Sequence, residues 1–398
     1  MTKIITDQLA ITELLTRGVE EIIDKAHLEE KLKSGKQLRI KLGIDPTSPN
    51  IHLGRSIPLL KLRDFQQLGH KIVFIIGDFT GIIGDSSDKD SERPMLTEEI
   101  IAKNLKTYID QAAKVIDIKA AEICHNSEWL GKLGYIEIGK QADAFSVNEF
   151  ISRENIDKRI SAGKRVSLRE LLYPLMQGYD SVQVKADVEI GGTDQRFNLL
   201  AGRDLQKLYG QEPQDIITNP LIEGLDGRKM SSSYGNTVNL FDTADDMFGK
   251  IMSLRDESII TYFTLLTRVD MSVVNEHVAE LKSGANPKDI KMKLAQEIVT
   301  MYHDAKTGEA ACLNWEKTFS EKKVPDVIPE IKAKVGESLV ELLVSNGAIP
   351  SKSQARRLFE DGAVRDMSDD SKITDPTIKI TKELVLKVGK KTFVKVVV

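Results

Sequence analysis

One polar stretch of the sequence combines residue types that bind phosphate groups. Residues 41–55 read KLGIDPTSPNIHLGR, and they join a strand expected over residues 38–44 to a helix expected to begin near Gly54. Helix N-termini carry free backbone N–H groups and a partial positive charge, to which His52 and Arg55 add side-chain donors. The stretch therefore predicts a polyanion site, although most His-x-Gly sequences are ordinary turns.

Polar residues and glycines also follow two other predicted strands. Thr80 and Asp85 come after a strand expected at residues 71–76, and Asp194 belongs to the sequence GGTDQ that follows a strand expected at 184–190. In open α/β sheets, ligands bind at the carboxyl ends of the strands. Asp194 can accept from a ribose hydroxyl there, or it can simply cap the next helix after a glycine turn.

A glycine-rich polar segment, GLDGRKMSSS, spans residues 224–233. Mobile loops that carry a lysine can close over phosphates. Lys229 is therefore a further candidate cation for a polyanion.

A small basic face is expected near the C-terminus. In the sequence SKSQARRLF at residues 351–359, Lys352, Arg356 and Arg357 share the exposed side of a short helix. Such a face suggests contact with an RNA backbone. A solvated charged face without a ligand explains the same pattern equally well.

Composition and charge exclude several classes of protein. The 398 residues carry a net charge of −4, so contact with nucleic acid requires a local basic face. The two cysteines, Cys124 and Cys312, exclude a Cys-rich zinc site and a disulfide framework. The sequence has no P-loop, no apolar signal core and no apolar run of membrane length. We therefore expect a cytoplasmic protein without membrane contact that is not a Walker-type NTPase.

Helical and strand patterns alternate in the first half of the chain. An amphipathic helix is expected from about residue 7 to 33, and strand, helix and strand over residues 38–76 have the spacing of a parallel βαβ unit. A long helix is expected over residues 96–116. The helices of residues 96–180 form either an insertion with a dimer surface or plain core.

The pattern as a whole predicts an α/β fold with a Rossmann-like parallel sheet and a helical insertion, then a helical domain and a small α+β domain. The expected segments are 1–224 for the sheet domain, with its insertion at about 96–180; 225–320 for the loop and the helical domain; 321–335 for a charged linker; and 336–398 for the α+β domain, with strands at 378–380 and 392–398.

Taken in order, these stretches resemble the class I aminoacyl-tRNA synthetases, specifically the second branch of bacterial tyrosyl-tRNA synthetases. The sequence HLGR at residues 52–55 resembles the first signature of the class, HIGH, and KMSSS at 229–233 resembles the second, KMSKS. Residues from Ser338 onward are similar to the alpha-L RNA-binding tail known from a small-subunit ribosomal protein. The resemblance spans essentially the whole chain.

The resemblance implies a two-step ligase. The carboxylate of L-tyrosine attacks the α-phosphorus of ATP, bound with Mg²⁺, and the tyrosyl group then passes to the terminal ribose hydroxyl of tRNA(Tyr). It also implies a homodimer and no zinc. The implied roles fall on residues of this sequence as follows: Thr47, His52, Arg55 and Lys229 for catalysis; Gly43, Asp45, Gly54, Gly192, Asp194, Lys229 and Ser232 for ATP; Thr80, Asp85, Tyr173, Gln177, Asp180 and Gln195 for tyrosine; and Lys352, Arg356 and Arg357 for RNA.

Several positions depart from the family pattern. Arg55 replaces the usual histidine and keeps a phosphate donor, whereas Ser232 replaces a lysine and leaves Lys229 to balance the pyrophosphate charge. Lys41 stands where one branch has a tyrosine that touches the substrate phenol, and Glu189 replaces a nearby glutamine. Whether these last two touch substrate is left open.

Two rival functions remain from sequence. A tryptophanyl synthetase has the same type of sheet, but Asp180 and the basic tail argue against it. An RNA-binding protein that kept the fold without the chemistry is conceivable because the second signature has only one lysine.

Overall fold

The computed structural model describes residues 3–87, 91–320, 328–369, 371–389 and 392–398. Contacts divide the chain into two compact units, residues 1–308 and residues 309–398. Each unit has its own β-sheet.

The first unit is built on a mostly parallel sheet. Its strands, among the described residues, are β1 (Glu21–Ile23), β2 (Arg39–Ile44), β3 (Lys71–Ile76), β4 (Glu122–His125), β5 (Val188–Gly192) and β6 (Asp215–Asn219). Their spatial order is β1-β6-β5-β2-β3-β4, and every neighbouring pair is parallel except β1 with β6. The chain order reverses between β2 and β5, which leaves a crevice for a ligand beyond their carboxyl ends.

Helices connect these strands. Those of the first unit are α1 (Gln8–Thr16), α2 (Lys25–Lys33), α3 (Leu53–Gln67), α4 (Asp78–Ile83), α5 (Glu98–Leu105), α6 (Tyr108–Ala112), α7 (Ser127–Leu130), α8 (Tyr135–Asp143), α9 (Val147–Ile151), α10 (Glu154–Ser161), α11 (Leu168–Val184), α12 (Arg196–Leu208), α13 (Ala244–Met252), α14 (Ile259–Leu266), α15 (Met271–Lys282) and α16 (Pro287–Tyr302). The following helix, α17 (Ala305–Trp315), crosses the division between the units. Residues 72–76 of β3 are at most 1% exposed, as expected for a parallel strand covered on both faces.

The predicted continuous helix over residues 7–33 is wrong. The chain turns at Gly18, whose φ of +63° lies in the left-handed region, and β1 then pairs with β6. Ile22 and Ile23 match the helical period, but their backbone groups pair in the sheet instead. Asp24 caps the start of α2 by accepting from the backbone N–H of His27.

The predicted long helix over residues 96–116 is divided into α5 and α6. Side chains around the break bind the loop that follows β2: Asn104 Nδ2 donates to Pro46 O at 2.8 Å, and Gln111 Nε2 donates to Pro49 O at 2.9 Å. These hydrogen bonds to the loop carbonyl groups fix the direction of each helix segment.

The strand β5 begins later than predicted. Val184 is the last residue of α11, and Lys185 adopts a left-handed φ of 50° that ends the helix. The strand then runs from Val188 to Gly192, so both glycines of the GGTDQ sequence are its last two residues.

The second unit is a small α+β structure with its own apolar core. Its elements are α18 (Leu339–Ser345), α19 (Lys352–Glu360), β7 (Glu330–Lys332), β8 (Val364–Asp366), β9 (Ser371–Lys372), β10 (Leu384–Val388) and β11 (Thr392–Val397), and its sheet order is β7-β11-β10-β8-β9. The strand β7 lies within the stretch expected to be a linker, whose residues 321–327 fall outside the described residues. The predicted strand at 378–380 is wrong, since an isolated bridge between Ser338 and Lys379 stands there.

Candidate active site

A cleft of about 300 Å³ lies beyond the carboxyl ends of β2 and β5, where the strand order reverses. The structure brings together there every residue assigned to catalysis, ATP or tyrosine: Gly43, Asp45, Thr47, His52, Gly54, Arg55, Thr80, Asp85, Tyr173, Gln177, Asp180, Gly192, Asp194, Gln195, Lys229 and Ser232. The individual roles stay predictions, and the geometry below decides what each group can do.

His52 directly precedes α3 and is buried. Its ring packs against Gly54, where an added Cβ atom would lie 3.1 Å from the ring Nδ1. Burial, with the nearby charges of Arg55 and Lys229, lowers the pKa of His52 to about 3. Its Nδ1 has no hydrogen-bond partner among the described residues. His52 is therefore a neutral ring that can offer an anion a hydrogen bond but not a charge.

Arg55 is held in place within the first turn of α3. Its Nη1 donates to Tyr108 Oη at 2.7 Å and to Asp45 O at 3.3 Å, and its Nη2 donates to Thr47 Oγ1 at 3.2 Å. These contacts fix a positive charge in the first turn of α3, where it favours an anion in the cleft. The prediction of free backbone N–H groups at this helix start is wrong, because those of Leu53 and Gly54 donate to Val238 O at 2.8 Å and to Met230 Sδ at 3.2 Å.

Lys229 and Asp194 meet across the cleft. Lys229 Nζ lies 3.0 Å from Asp194 Oδ2, so the candidate phosphate ligand pairs with the candidate ribose ligand. Gly192 leaves the necessary room, since a Cβ atom there would lie 2.6 Å from Asp194 Oδ1. Asn236 holds the loop that carries Lys229, the glycine-rich segment at residues 224–233. Its side chain accepts from Ser231 N at 2.9 Å and donates to Lys229 O at 3.1 Å.

Asp45 is a half-buried acceptor that directly follows β2. Thr80 Oγ1 donates to its Oδ1 at 2.7 Å, and Tyr173 Oη donates to its Oδ2 at 2.8 Å. Burial outweighs these hydrogen bonds and raises the pKa of Asp45 to about 6. Only glycine fits at position 77, because a Cβ atom there would lie 2.0 Å from Asp45 Oδ1.

Asp85 is a second half-buried carboxylate, and a hydrogen bond joins it to the turn after β5. Its Oδ2 accepts from Gln195 Nε2 at 2.7 Å, while its Oδ1 accepts from the N–H and the hydroxyl of Ser87. Burial raises the pKa of Asp85 despite these donors. Its position therefore depends on a loop and a strand end that are 110 residues apart.

Asp180 on α11 is held by two side chains that sequence reasoning missed. Trp129 Nε1 donates to Oδ1 at 2.7 Å, and Asn126 Nδ2 donates to Oδ2 at 3.2 Å. Asn126 directly follows β4, so the rule that ligands bind at strand ends would have found it. No sequence signal pointed to Trp129. Burial raises the pKa of Asp180 to about 7.

Lys41 and Glu189 do not line the cleft. They face each other on paired strands, their Nζ and Oε1 atoms are 2.8 Å apart, and they are at most 1% exposed. The pair lies directly beneath Gln177, whose backbone oxygen accepts from Lys41 Nζ at 2.8 Å.

A possible set of metal ligands lies away from this lining. Asp24, His27 and Asp215 place their ligand atoms within 4.8 Å of one another. Asp215 already accepts from His27 Nδ1 at 2.8 Å, and Lys31 Nζ lies 3.4 Å from its other oxygen. An ammonium group at that distance opposes a bound cation, so this arrangement fits an ion-pair network better than a metal site.

The predicted RNA-binding residues lie in the second unit. Lys352, Arg356 and Arg357 are exposed on α19, whereas Ala355 and Phe359 on the same helix are buried. Lys352 Nζ also pairs with Glu341 Oε1 at 2.6 Å. Among the described residues, no helix combines the length and the apolar character needed to cross a membrane.

A parallel sheet with a reversal of strand order, a helix N-terminus with an arginine, and a lysine loop opposite them define a nucleotide-binding α/β protein. Comparison with known families supports that class, since a family model described as tRNA synthetases class I (W and Y) matches residues 33–320.

Individual relatives narrow the class. The chain is 46% identical to the tyrosine–tRNA ligase of Carboxydothermus hydrogenoformans over 97% of each chain, and 43% identical to that of Thermotoga maritima over 96% of each. The solved tyrosyl-tRNA synthetase of Archaeoglobus fulgidus shares the fold, with a TM-score of 0.62 at 24% identity over 76% of this chain and 99% of that one. The chain belongs to the tyrosine–tRNA ligase family of class I tRNA synthetases. This confirms the predicted family, the α/β fold class and the type of enzyme; the alpha-L character of the second unit stays a prediction.

Proposed function

We propose that the chain activates L-tyrosine with ATP to tyrosyl-adenylate and then transfers the tyrosyl group to the 3′ end of tRNA(Tyr). The observation that carries this proposal is one cleft that joins the buried carboxylate of Asp180 to the anion site formed by Arg55 and Lys229. The first group suits a phenol and the second suits a polyphosphate.

Recognition of the amino acid is assigned to the buried part of the cleft. Asp180 accepts from the phenolic hydroxyl, and phenylalanine is rejected because it would leave this buried acceptor without that donor. The acceptor oxygens of Asp85, Tyr173 and Gln177 suit the α-ammonium group, with Thr80 and Gln195 holding the carboxylates in position.

Activation needs no nucleophilic side chain. The tyrosine carboxylate attacks the α-phosphorus, the bond to the β-phosphate oxygen breaks, and pyrophosphate leaves. Arg55 and Lys229 balance the charge that develops on the leaving group, while Thr47, Ser232 and the neutral His52 add hydrogen bonds. Mg²⁺ bound with ATP would neutralise further phosphate charge.

We propose that the pair between Lys229 and Asp194 opens when ATP binds. When the ribose hydroxyls reach Asp194, Lys229 is released toward the phosphates. The absence of side chains at Gly43, Gly54 and Gly192, which all line the cleft, is proposed to let the nucleotide approach the backbone closely.

The second unit is assigned to tRNA, through Lys352, Arg356 and Arg357 on α19. A second copy of the chain is assigned to the exposed apolar side chains of α8, α9 and α11, namely Tyr135, Ile136, Val147 and Leu168, which are between 69% and 94% exposed. The proposed site of action is the cytoplasm, where tRNA is charged.

Amino-acid-dependent exchange of pyrophosphate into ATP tests the proposal. We expect tyrosine alone among the standard amino acids to support exchange, because it alone fits the cleft and pairs with Asp180. If tryptophan supports exchange better than tyrosine does, the chain would be a tryptophan-specific member of the class I synthetases (W and Y). If none of the amino acids supports exchange, the result would favour an RNA-binding protein that keeps the fold without the chemistry.

A further inference from the structure

Lys41 and Glu189 form a closed network beneath the cleft. The Lys41 ammonium group donates to three acceptors: Glu189 Oε1 at 2.8 Å, Ser181 Oγ at 2.7 Å and the backbone oxygen of Gln177 at 2.8 Å. Ser181 Oγ and Gln214 Nε2 donate to the other oxygen of Glu189. Every proton of the ammonium group has an acceptor, so the buried charges are compensated.

This network reaches the cleft through the side chain of Gln177. Gln177 Nε2 donates to Glu189 Oε1 at 3.1 Å, and Gln177 also lines the cleft. A carboxylate that is paired with an ammonium group accepts hydrogen bonds and donates none. The amide nitrogen, and not the amide oxygen, must therefore face Glu189.

We propose that the Lys41–Glu189 pair is a positioning device that fixes the orientation of the Gln177 amide, so that its oxygen meets the α-ammonium group of the amino acid. The inference rests on the proposed function. Lys41 holds the backbone oxygen of Gln177 and Glu189 holds its side-chain nitrogen, so both ends of the residue are fixed. A glutamine at position 189 would accept or donate, and it would therefore permit the reversed amide.

The test variant replaces both charges with neutral groups of similar volume. Lys41→Met combined with Glu189→Gln leaves no unpaired buried charge, and its new amide no longer dictates the orientation of Gln177. Glu189→Gln alone is a second variant, in which Lys41 keeps its contacts with Ser181 and the Gln177 backbone. Lys61→Met is the matched control, because Lys61 is equally buried, donates to Leu14 O at 2.7 Å and does not line the cleft.

Equilibrium binding of two ligands separates positioning from stability. The ligands are tyrosine and 3-(4-hydroxyphenyl)propionate, which is tyrosine without its amino group. In both Glu189 variants we expect tyrosine affinity to fall about tenfold, the size of one hydrogen bond to a charged group, while affinity for the analogue changes by less than about twofold. Lys61→Met should leave the ratio of the two affinities unchanged.

An equal loss for both ligands, or no loss for tyrosine, in the folded variants would overturn the proposal. If the double variant does not fold, the ratio in the single variant decides. Failure of the wild-type chain to bind tyrosine at all would instead overturn the proposed function, so the two failures are distinguishable.

Discussion

Asp180 is a buried carboxylate with a raised pKa, and we propose that it binds the phenol of tyrosine. Burial raises its pKa to about 7, against the lowering effects of Lys41, Trp129 and Asn126, and Glu189 adds to the rise. A carboxylate with this pKa changes its charge within the range where the enzyme is assayed. Recognition of a phenol should therefore depend on pH.

We expect discrimination between tyrosine and phenylalanine in binding to increase by about three- to tenfold from pH 6 to pH 8. Below its pKa, Asp180 is protonated and offers only neutral hydrogen bonds; above it, the carboxylate accepts a stronger, charge-assisted bond from the phenol. The ratio of the two dissociation constants across this range measures the effect. Asp180→Asn should give a low ratio that does not vary with pH, and a wild-type ratio that falls with pH would contradict the assignment.

The loop after β6 carries two neighbouring basic residues, Arg228 and Lys229, which make different contacts. The second signature has one lysine, and in the structure this lysine contacts Asp194 across the cleft. Its neighbour Arg228 pairs with Asp226 and stacks on Tyr234 at 4.5 Å, and it does not line the cleft. The loop therefore places Lys229 in the cleft, whereas Arg228 contacts other residues of the loop itself.

Lys229→Ala should lower the rate of adenylate formation about a hundredfold or more, because one preorganised donor to developing charge contributes about 3 kcal/mol and Ser232 cannot replace it. Tyrosine affinity should stay nearly unchanged. Pre-steady-state adenylate formation at saturating ATP measures the rate. Arg228→Ala is the matched control and should have a much smaller effect. A normal rate with weakened tyrosine binding in Lys229→Ala would show that the loop does not bind the phosphates.

The second unit has its own sheet and apolar core, and both include residues of β7, which precedes the predicted domain start at residue 336. A truncation that tests its role must therefore end before Glu330, because β7 pairs with β11 and would otherwise lose its partner.

A chain that ends at Ser320 should still form tyrosyl-adenylate but should charge tRNA poorly. Losing Lys352, Arg356 and Arg357 removes phosphate contacts, so the salt dependence of tRNA binding should become shallower. Binding titrations across a range of salt concentrations measure this slope. An unchanged slope with an unchanged charging rate would assign the second unit a structural role.

The exposed apolar face of the first unit predicts self-association. Ile136 is 80% exposed and Tyr135 beside it is 94% exposed. Ile136→Glu should shift the chain from dimer to monomer in sedimentation velocity, because a charge buried in an apolar interface lacks a partner. The exposed Ile160→Glu, at 47% exposure, tests how far the interface extends. A wild-type chain that sediments as a monomer would contradict the proposed dimer.

Much of the cleft lining could be predicted from the sequence. Parallel strands end at one edge of the sheet, so polar residues after β2, β3 and β5 had to converge there. The resemblance to the family supplied the two signatures and the residues of α11. The amphipathic helix α19 could likewise be predicted, because Ala355 and Phe359 repeat at helical spacing.

The contacts between segments that are distant in sequence could not be predicted and depend on how the chain packs. The helical period of Ile22 and Ile23 gave way to pairing with β6, since a backbone hydrogen bond partner nearly 200 residues away is invisible to local periodicity. Trp129 reached Asp180, and Lys41 met Glu189, for the same reason. Local patterns specify which side chains face a core or an edge; the partner of each buried polar group depends on how the elements pack.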